Sequence, residues 1–295
     1  MRPLLRATRT TITSDREGSS TFGQNVRFTA TVRASSYEGT PTGGVQFSID
    51  GKDVGGVGTL DYQGRATYST ASLSAGRHTV IATYSGLAIF AGSGSAPFIQ
   101  VVNKAASKTG LTSNPGPSVF GQTVIFTVWV TPPAAGGAVQ FKLDGTTIGG
   151  SVALDATGRA TFATNKMTVG THTVLAVYGG NVNYRSSTDT CYQRVTKVAS
   201  QTVVTSSGTP ANRGTTVVFT ATVTAVAPGS GTPAGNVQFR IDGVNVGDPV
   251  ALNHSGHAAY ATRALQVGKH SVSALYSGSV SFNASTSRVI TQRIQ

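Results

Sequence analysis

Three histidines stand at one repeated position: His78, His172 and His270 each follow a glycine by two residues. Imidazole is the side chain most able to move a proton or hold a transition metal near neutral pH, so these positions are the first place to look for chemistry. They lie about 95 residues apart in separate copies of a repeat and cannot converge on one ion. The pattern implies a histidine at a chain corner, hydrogen-bonded to neighbouring backbone. His254 and His257 flank a turn and read as solvated. Asp50, Asp144 and Asp242 each precede a glycine and are accounted for by turn chemistry. Hydrolysis would need a Ser or Cys with a His and a carboxylate arranged around it, and no such spacing occurs. With 11 acidic residues and no Asp-x-Asp cluster, calcium sites are not expected either. The sequence thus offers no catalytic, cofactor-binding or metal-ligating set.

Two aromatic residues are candidates for contact with a ligand or partner. Trp129, the only tryptophan, falls on the face of its strand opposite Val128 and Val130, where the other copies have Thr31 and Thr222. An outward indole can stack on a sugar ring or anchor a protein contact, or it can lie under a loop or against a neighbouring unit. Tyr37 sits in a loop, Ser35 to Pro41, that differs in length from copy to copy. Such loops can carry a binding specificity without disturbing a core, or can vary because nothing restrains them. Cys191 is the only cysteine, so no intrachain disulfide exists. It reads as a small, partly buried residue or as one half of an intermolecular disulfide.

The elements that position these residues are written three times. Val45-Gln-Phe-Ser-Ile-Asp-Gly51 returns as Val139-Gln-Phe-Lys-Leu-Asp-Gly145 and Val237-Gln-Phe-Arg-Ile-Asp-Gly243. Alternate residues are apolar, the period of a half-buried strand, and Asp-Gly supplies the positive φ of a tight hairpin. From each opening Val to a closing aromatic (Phe90, Tyr184, Phe282) the distance is 45 residues. Before this hairpin a strand with Val26, Phe28, Ala30 and Val32 on one face recurs as Val124/Phe126/Val128/Val130 and Val217/Phe219/Ala221/Val223. After it comes a Gly-containing strand, which Pro249 marks as an edge, then Asp61 to Gly64, Asp155 to Gly158 or Asn253 to Gly256 as a type I turn. A further strand buries Tyr68, Phe162 and Tyr260. A corner through His78, His172 or His270 then leads into a strand carrying Tyr84, Tyr178 or Tyr276 inward. Each copy ends on a looser strand: Pro97 to Val102, Cys191 to Val195, Arg288 to Ile294.

Composition agrees with short strands and tight turns: 36 Gly, 12% charged residues, and almost no helix expected. The net charge of +12 would suit an anionic partner such as nucleic acid, a cell-wall polymer or a lipid surface. It is, however, spread at +4 over each of residues 1–104, 105–197 and 198–295, with no Lys/Arg run interleaved with aromatics. That distribution describes a diffusely basic surface and argues against nucleic-acid binding. Met1-Arg-Pro-Leu-Leu-Arg has the basic start of a signal peptide without an apolar h-region, and no stretch approaches a membrane span of about 18 apolar residues. Either the chain is part of something longer or it reaches its place without a standard leader.

The Val-Gln-Phe-x-x-Asp-Gly hairpin, the Asp/Asn-x-x-Gly turn, Leu/Met-x-x-Gly-x-His and Ala-x-Tyr-x-Gly, in fixed order over residues 8 to 295, resemble the bacterial immunoglobulin-like domain repeats of large surface and secreted proteins. The resemblance implies an all-β fold of three tandem seven-stranded antiparallel immunoglobulin-like β-sandwiches with Greek-key connections. The expected divisions are a disordered lead-in at 1–7 and domains at 8–104, 105–197 and 198–295. It implies no catalytic residue and no cofactor. The expected role is a non-enzymatic structural or adhesive spacer at a bacterial surface or in a secreted assembly, meeting protein or glycan partners through its pole loops. A virion tail or capsid decoration protein and a polysaccharide-binding accessory module are the alternatives. Three such domains in line would make a rod of roughly 100 Å. The sequence does not specify an oligomeric state.

Overall fold

The structure is a computed structural model and describes residues 5–35 and 39–295. The first repeat folds as β1 (Thr8–Ser14), β2 (Ser19–Thr21), β3 (Val26–Ala34), β4 (Gly44–Ile49), β5 (Lys52–Thr59), β6 (Arg65–Thr70), β7 (Gly76–Tyr84), β8 (Ser93–Gly94) and β9 (Phe98–Asn103). One sheet has the order β1-β3-β6 and the other β2-β9-β7-β4-β5, with β8 on β7. All pairs are antiparallel except β2 with β9. With β8 the larger sheet of the first repeat has six strands; the second and third repeats set a three-stranded sheet against a five-stranded one. The only helix among the described residues is the 3-10 turn Pro133–Ala135.

Among the described residues the expected seven strands per repeat become nine, eight and eight segments. In the first two repeats the opening strand divides, one part pairing in the small sheet and a short second part crossing to run parallel to the last strand. The last strand is continuous from Ser187 to Thr196 in the second repeat but broken in the first and third, between Gly94 and Phe98 and between Thr286 and Ile290. At the break Ser95 and Ser287 turn their hydroxyls inward to accept from Ala82 N and Ala274 N, replacing a ladder bond. The looser strand anticipated at Cys191 is therefore the most regular of the three, and it begins four residues earlier than its sequence suggests.

Alternation places the core as expected. Val26, Phe28, Ala30 and Val32 face Val45, Phe47, Val80, Ala82 and Tyr84 across the two sheets, all essentially inaccessible to solvent. The second and third repeats build the same set around Phe126/Phe141/Tyr178 and Phe219/Phe239/Tyr276. Tyr68, Phe162 and Tyr260 depart from full burial. They lie at the sandwich edge, half-exposed, with ring centroids 6.0, 5.5 and 5.8 Å from Phe47, Phe141 and Phe239. Residues 1–4 of the expected lead-in lie outside the described residues, but Arg6 is ordered: its N–H donates to Ile89 O at 2.7 Å and Ala91 N donates back to Arg6 O.

Two repeated side chains hold the irregular points. Each Val-Gln-Phe strand carries a bulge at its glutamine, where the register against the edge strand shifts. Gln46, Gln140 and Gln238 fold their amides back there to donate to backbone carbonyls on both strands, including Val54 O, Ile148 O and Val246 O. A bulge leaves ladder groups unpaired, and these amides supply the missing donor. Tyr84, Tyr178 and Tyr276 are buried but direct their hydroxyls to Thr42 O, Ala135 O and Ala234 O, which ties the variable loop to the second sheet.

Because Phe141 is fully buried between the sheets, Phe141→Ala should destabilise the second repeat by about 3–5 kcal/mol. In urea unfolding followed by Trp129 fluorescence, which reports on that repeat, the midpoint should fall, while the remaining transitions seen by circular dichroism change little.

Candidate functional site

The repeated histidines are structural, and their partner is the aspartate of the hairpin turn. Asp50 and Gly51 both have positive φ, 50° and 78°, and the same holds for Asp144/Gly145 and Asp242/Gly243. This two-residue turn carries the aspartate over the corner that precedes β7. His78 Nδ1 lies 2.7 Å from Asp50 Oδ2 and its Nε2 lies 2.8 Å from Ser74 O. His172 and His270 repeat both distances to Asp144 and Thr168 O, and to Asp242 and Gln266 O. The other carboxylate oxygen accepts from Thr79 N, Thr173 N or Ser271 N.

A carbonyl oxygen can only accept, so Nε2 carries a proton. Nδ1 faces an ionised carboxylate and carries one as well. The geometry therefore selects the imidazolium. Burial opposes the charge on His78 and His172 more strongly than any single favourable effect. The bonds to Ser74 O with Asp50, and to Asp144 with Thr168 O, together outweigh it, and both pKa values are raised. For His270 the bond to Asp242 is the largest influence and raises it likewise. Asp50 is held below its ordinary value first by the Thr79 N–H and then by His78. Asp144 and Asp242 are lowered first by their histidines and then by the backbone N–H. Both ring nitrogens are committed, so no lone pair remains for a metal. Among the described residues no group of three or more His, Cys, Asp or Glu could hold an ion. His257 Nδ1 lies 2.9 Å from Thr222 Oγ1, so it too has a partner.

Trp129 faces outward from the three-stranded sheet of the second repeat, half-buried, with Gly110 opposite on one neighbour and Arg159 on the other. The indole lies across Gly110 so closely that a Cβ there would overlap the ring. The positions equivalent to Gly110 are Thr11 and Val203, opposite Thr31 and Thr222. The Trp and Gly thus occur as a pair in the second repeat alone. The ring borders a shallow depression lined by Thr112, Thr127, Thr131, Thr157 and Arg159. An aromatic covering a strand glycine is a packing device in its own right. Tyr37 lies outside the described residues. Cys191 packs partly against the second core, and burial, followed by the nearby Asp189, pushes its thiol pKa up, away from the reactive thiolate.

Sequence reasoning missed two further sets. Gln100, Gln193 and Gln292 are completely buried amides that donate to the carbonyl of the next residue on their own strand, Val101 O, Arg194 O and Arg293 O. Each also reaches the opening segment of its repeat, at Ser20, Ser118 or Gly208. They lie opposite His78, His172 and His270 in the strand register, a relation that no local motif announces. The second set is the pair of junctions. Phe22 of the first repeat packs edge-on against Tyr184 of the second, centroids 5.4 Å apart, and Ala75 N donates to Asn183 Oδ1. Phe120 of the second packs edge-on against Phe282 of the third at 5.7 Å, and Ser230 bonds Phe120 O and Gly121 O. Phe-Gly-Gln occurs at both sites, at 22–24 and 120–122, which is the signal the sequence did contain.

A three-stranded sheet paired with one of five or six strands, repeated in tandem with each repeat closed around its own core, defines the class: immunoglobulin-like β-sandwich repeats. The chain belongs to the family described as bacterial Ig-like domain (group 3), which it matches over residues 12–103, 111–196 and 204–295. Similar solved structures include a three-domain segment of titin, 12% identical with TM-score 0.41 over 98% of this chain and 100% of that one. The Escherichia coli adhesin FdeC is 14% identical with TM-score 0.33, covering 98% and 96%. Three N-terminal domains of the bacteriophage RB49 highly immunogenic outer capsid protein are 16% identical with TM-score 0.29, covering 98% and 99%. No curated protein matches the sequence.

The His–Asp pairs set a stability window. With histidine pKa values raised above 6.5, their contribution is complete below pH 6.5 and is lost as pH rises through the folded-state value. With aspartate values lowered below 3.8, their contribution is complete above pH 3.8 and is lost as pH falls through the folded-state value. Scanning calorimetry should place the highest Tm between these limits. In H78N/H172N/H270N, whose amides can donate but do not titrate, the decline on the alkaline side should flatten.

Proposed function

We propose that this protein is a non-enzymatic spacer with an adhesive capacity, working at a bacterial surface or in a secreted assembly. Its divisions would be domains at 8–104, 105–197 and 198–295. The observation that carries this reading is the junction. Each repeat has its own core, and each is joined to the next by one edge-on aromatic pair and a few hydrogen bonds between facing loops. A chain built this way transmits load through the ends of its sandwiches and holds neighbours in a restricted orientation. The groups able to do chemistry are occupied in holding corners, which suits a mechanical role. Among the described residues no helix is long and apolar enough to cross a membrane.

A polysaccharide-contact reading has one observation in its favour, the Trp129 ring laid over Gly110 beside Arg159 and four threonines. Flat aromatic faces next to hydrogen-bonding side chains are suited to the apolar face of a sugar ring.

The spacer reading expects an extended particle in small-angle X-ray scattering. Three sandwiches in line, roughly 100 Å long, give a radius of gyration near 30 Å, whereas a single compact body of 295 residues would give about 19 Å. A value near the lower figure would refute it. For the glycan contact, an array probed with wild type and Trp129→Ala should show signal only for the wild type; equal signal, or none from either at low salt, excludes Trp129 as the platform.

A further inference from the structure

The pole of the first repeat repeats the geometry of the two internal junctions, with its chemistry changed. In the second and third repeats the corner Asn181-Val-Asn-Tyr184 and Ser279-Val-Ser-Phe282 receives the aromatic turn of the preceding repeat. In the first repeat the same corner reads Leu87-Ala-Ile-Phe90. The backbone is equivalent: Leu87 N donates to Phe90 O as Asn181 N does to Tyr184 O and Ser279 N to Phe282 O. The parallel bridge of Arg6 with Phe90 matches Ala105 with Tyr184 and Val198 with Phe282. Leu5 therefore stands where Lys104 and Lys197 stand, whose ammonium groups bond Asn181 O and Ser279 O. Lys, Asn and Ser at the two occupied junctions are thus replaced by Leu5, Leu87 and Ile89, exposed by 56%, 52% and 44% around the rim of Phe90.

The opposite pole is changed in the complementary sense. Phe22 N and Phe120 N donate to Asn103 O and Thr196 O, at the ends of the last strands of the first two repeats. In the third repeat the residue making that bond, to Gln295 O, is Arg213, exposed and charged. A second copy of this chain cannot offer the aromatic that the internal junctions use.

From these observations we infer that the Leu5/Leu87/Ile89/Phe90 pole is a docking seat for an Ig-like domain of a separate chain that presents an aromatic at the position of Phe22 and Phe120. Continuity with the internal junctions supplies the geometry, and the exchange of polar for apolar residues indicates an untethered partner. Within one chain the linker keeps the neighbouring repeat at high effective concentration, and a polar corner with one aromatic pair is enough. A partner arriving from solution loses translational and rotational freedom, and additional apolar burial is what offsets that loss. The four seat residues are all among the described ones, and all are apolar.

The test uses this chain as its own surrogate. A donor variant, R213F/L87S/I89S, presents Phe at its far pole and carries at its near pole the serines found at 279 and 281 of the third repeat. Mixed with wild type in sedimentation-velocity experiments up to roughly 1 mM, it should form a 1:1 complex, with a dissociation constant at least about tenfold weaker when the acceptor is L87S/I89S. Unchanged urea midpoints would confirm that all variants fold. Absence of complex with wild type, or equal binding to both acceptors, would overturn the proposal. Self-association of wild type that L87S/I89S abolishes would also overturn it, by making a second copy the occupant.

Discussion

Each repeat must close a core of its own from about 95 residues with no disulfide, and everything else in the structure follows from how it does so. Nothing covalent holds the two sheets together. What does is the facing of alternate side chains, Phe28 against Phe47 and Tyr84 in the first repeat and the same aromatics in the others. In a sandwich this small a void or an unpaired polar group in the middle layer is costly. The buried glutamine Nε2 groups and the tyrosine hydroxyls take fixed partners in every copy, and the bulge glutamines do the same at the strand edge, whereas Gln292 Oε1 accepts from Ser206 and the buried Gln100 Oε1 and Gln193 Oε1 have no protein partner among the described residues.

The same constraint explains the fate of the reactive residues. A chain corner beside a tight turn leaves carbonyls and N–H groups without ladder partners, and the Asp–His pair occupies them in one stroke. An imidazolium between a carboxylate and a carbonyl is well satisfied and chemically idle. This is why a histidine repeated three times, which in isolation invites a metal or acid–base reading, ends as a corner brace whose strength depends on pH. Cys191 follows a parallel logic: half-buried on a regular strand, with its thiol pushed toward the neutral form, it is packing material.

Junctions and poles are where the copies are permitted to differ. The core positions are repeated almost residue for residue, whereas the turn that leaves one repeat and the corner that receives it exchange Phe for Arg and Asn or Ser for Leu and Ile. Surface at the ends of a sandwich can change character without altering the fold, so individuality, and with it recognition, accumulates there. The same holds for the Trp129 and Gly110 pair, which alters one outer sheet face and leaves the core beneath it unchanged.

Strand faces, the Asp-Gly hairpins, the Asp/Asn-x-x-Gly turns and the threefold repeat were legible in the amino-acid order. They are set by local rules: a period of two along a strand, and positive φ at two adjacent turn residues. The site was legible only in part. That His78 sits at a corner could be read, but that its partner is Asp50, 28 residues away, depends on how the hairpin lies against the next strand. That Phe22 meets Tyr184, and that Trp129 lies across Gly110, depends on domain contact and strand register. The division of the first and last strands between sheets was likewise invisible, because both parts obey the same alternation. Sequence alone determined which residues face inward and where the chain turns, since neighbours along the chain decide those. Which side chains meet was decided by tertiary structure, because a contact requires two distant segments to arrive at one place in one register.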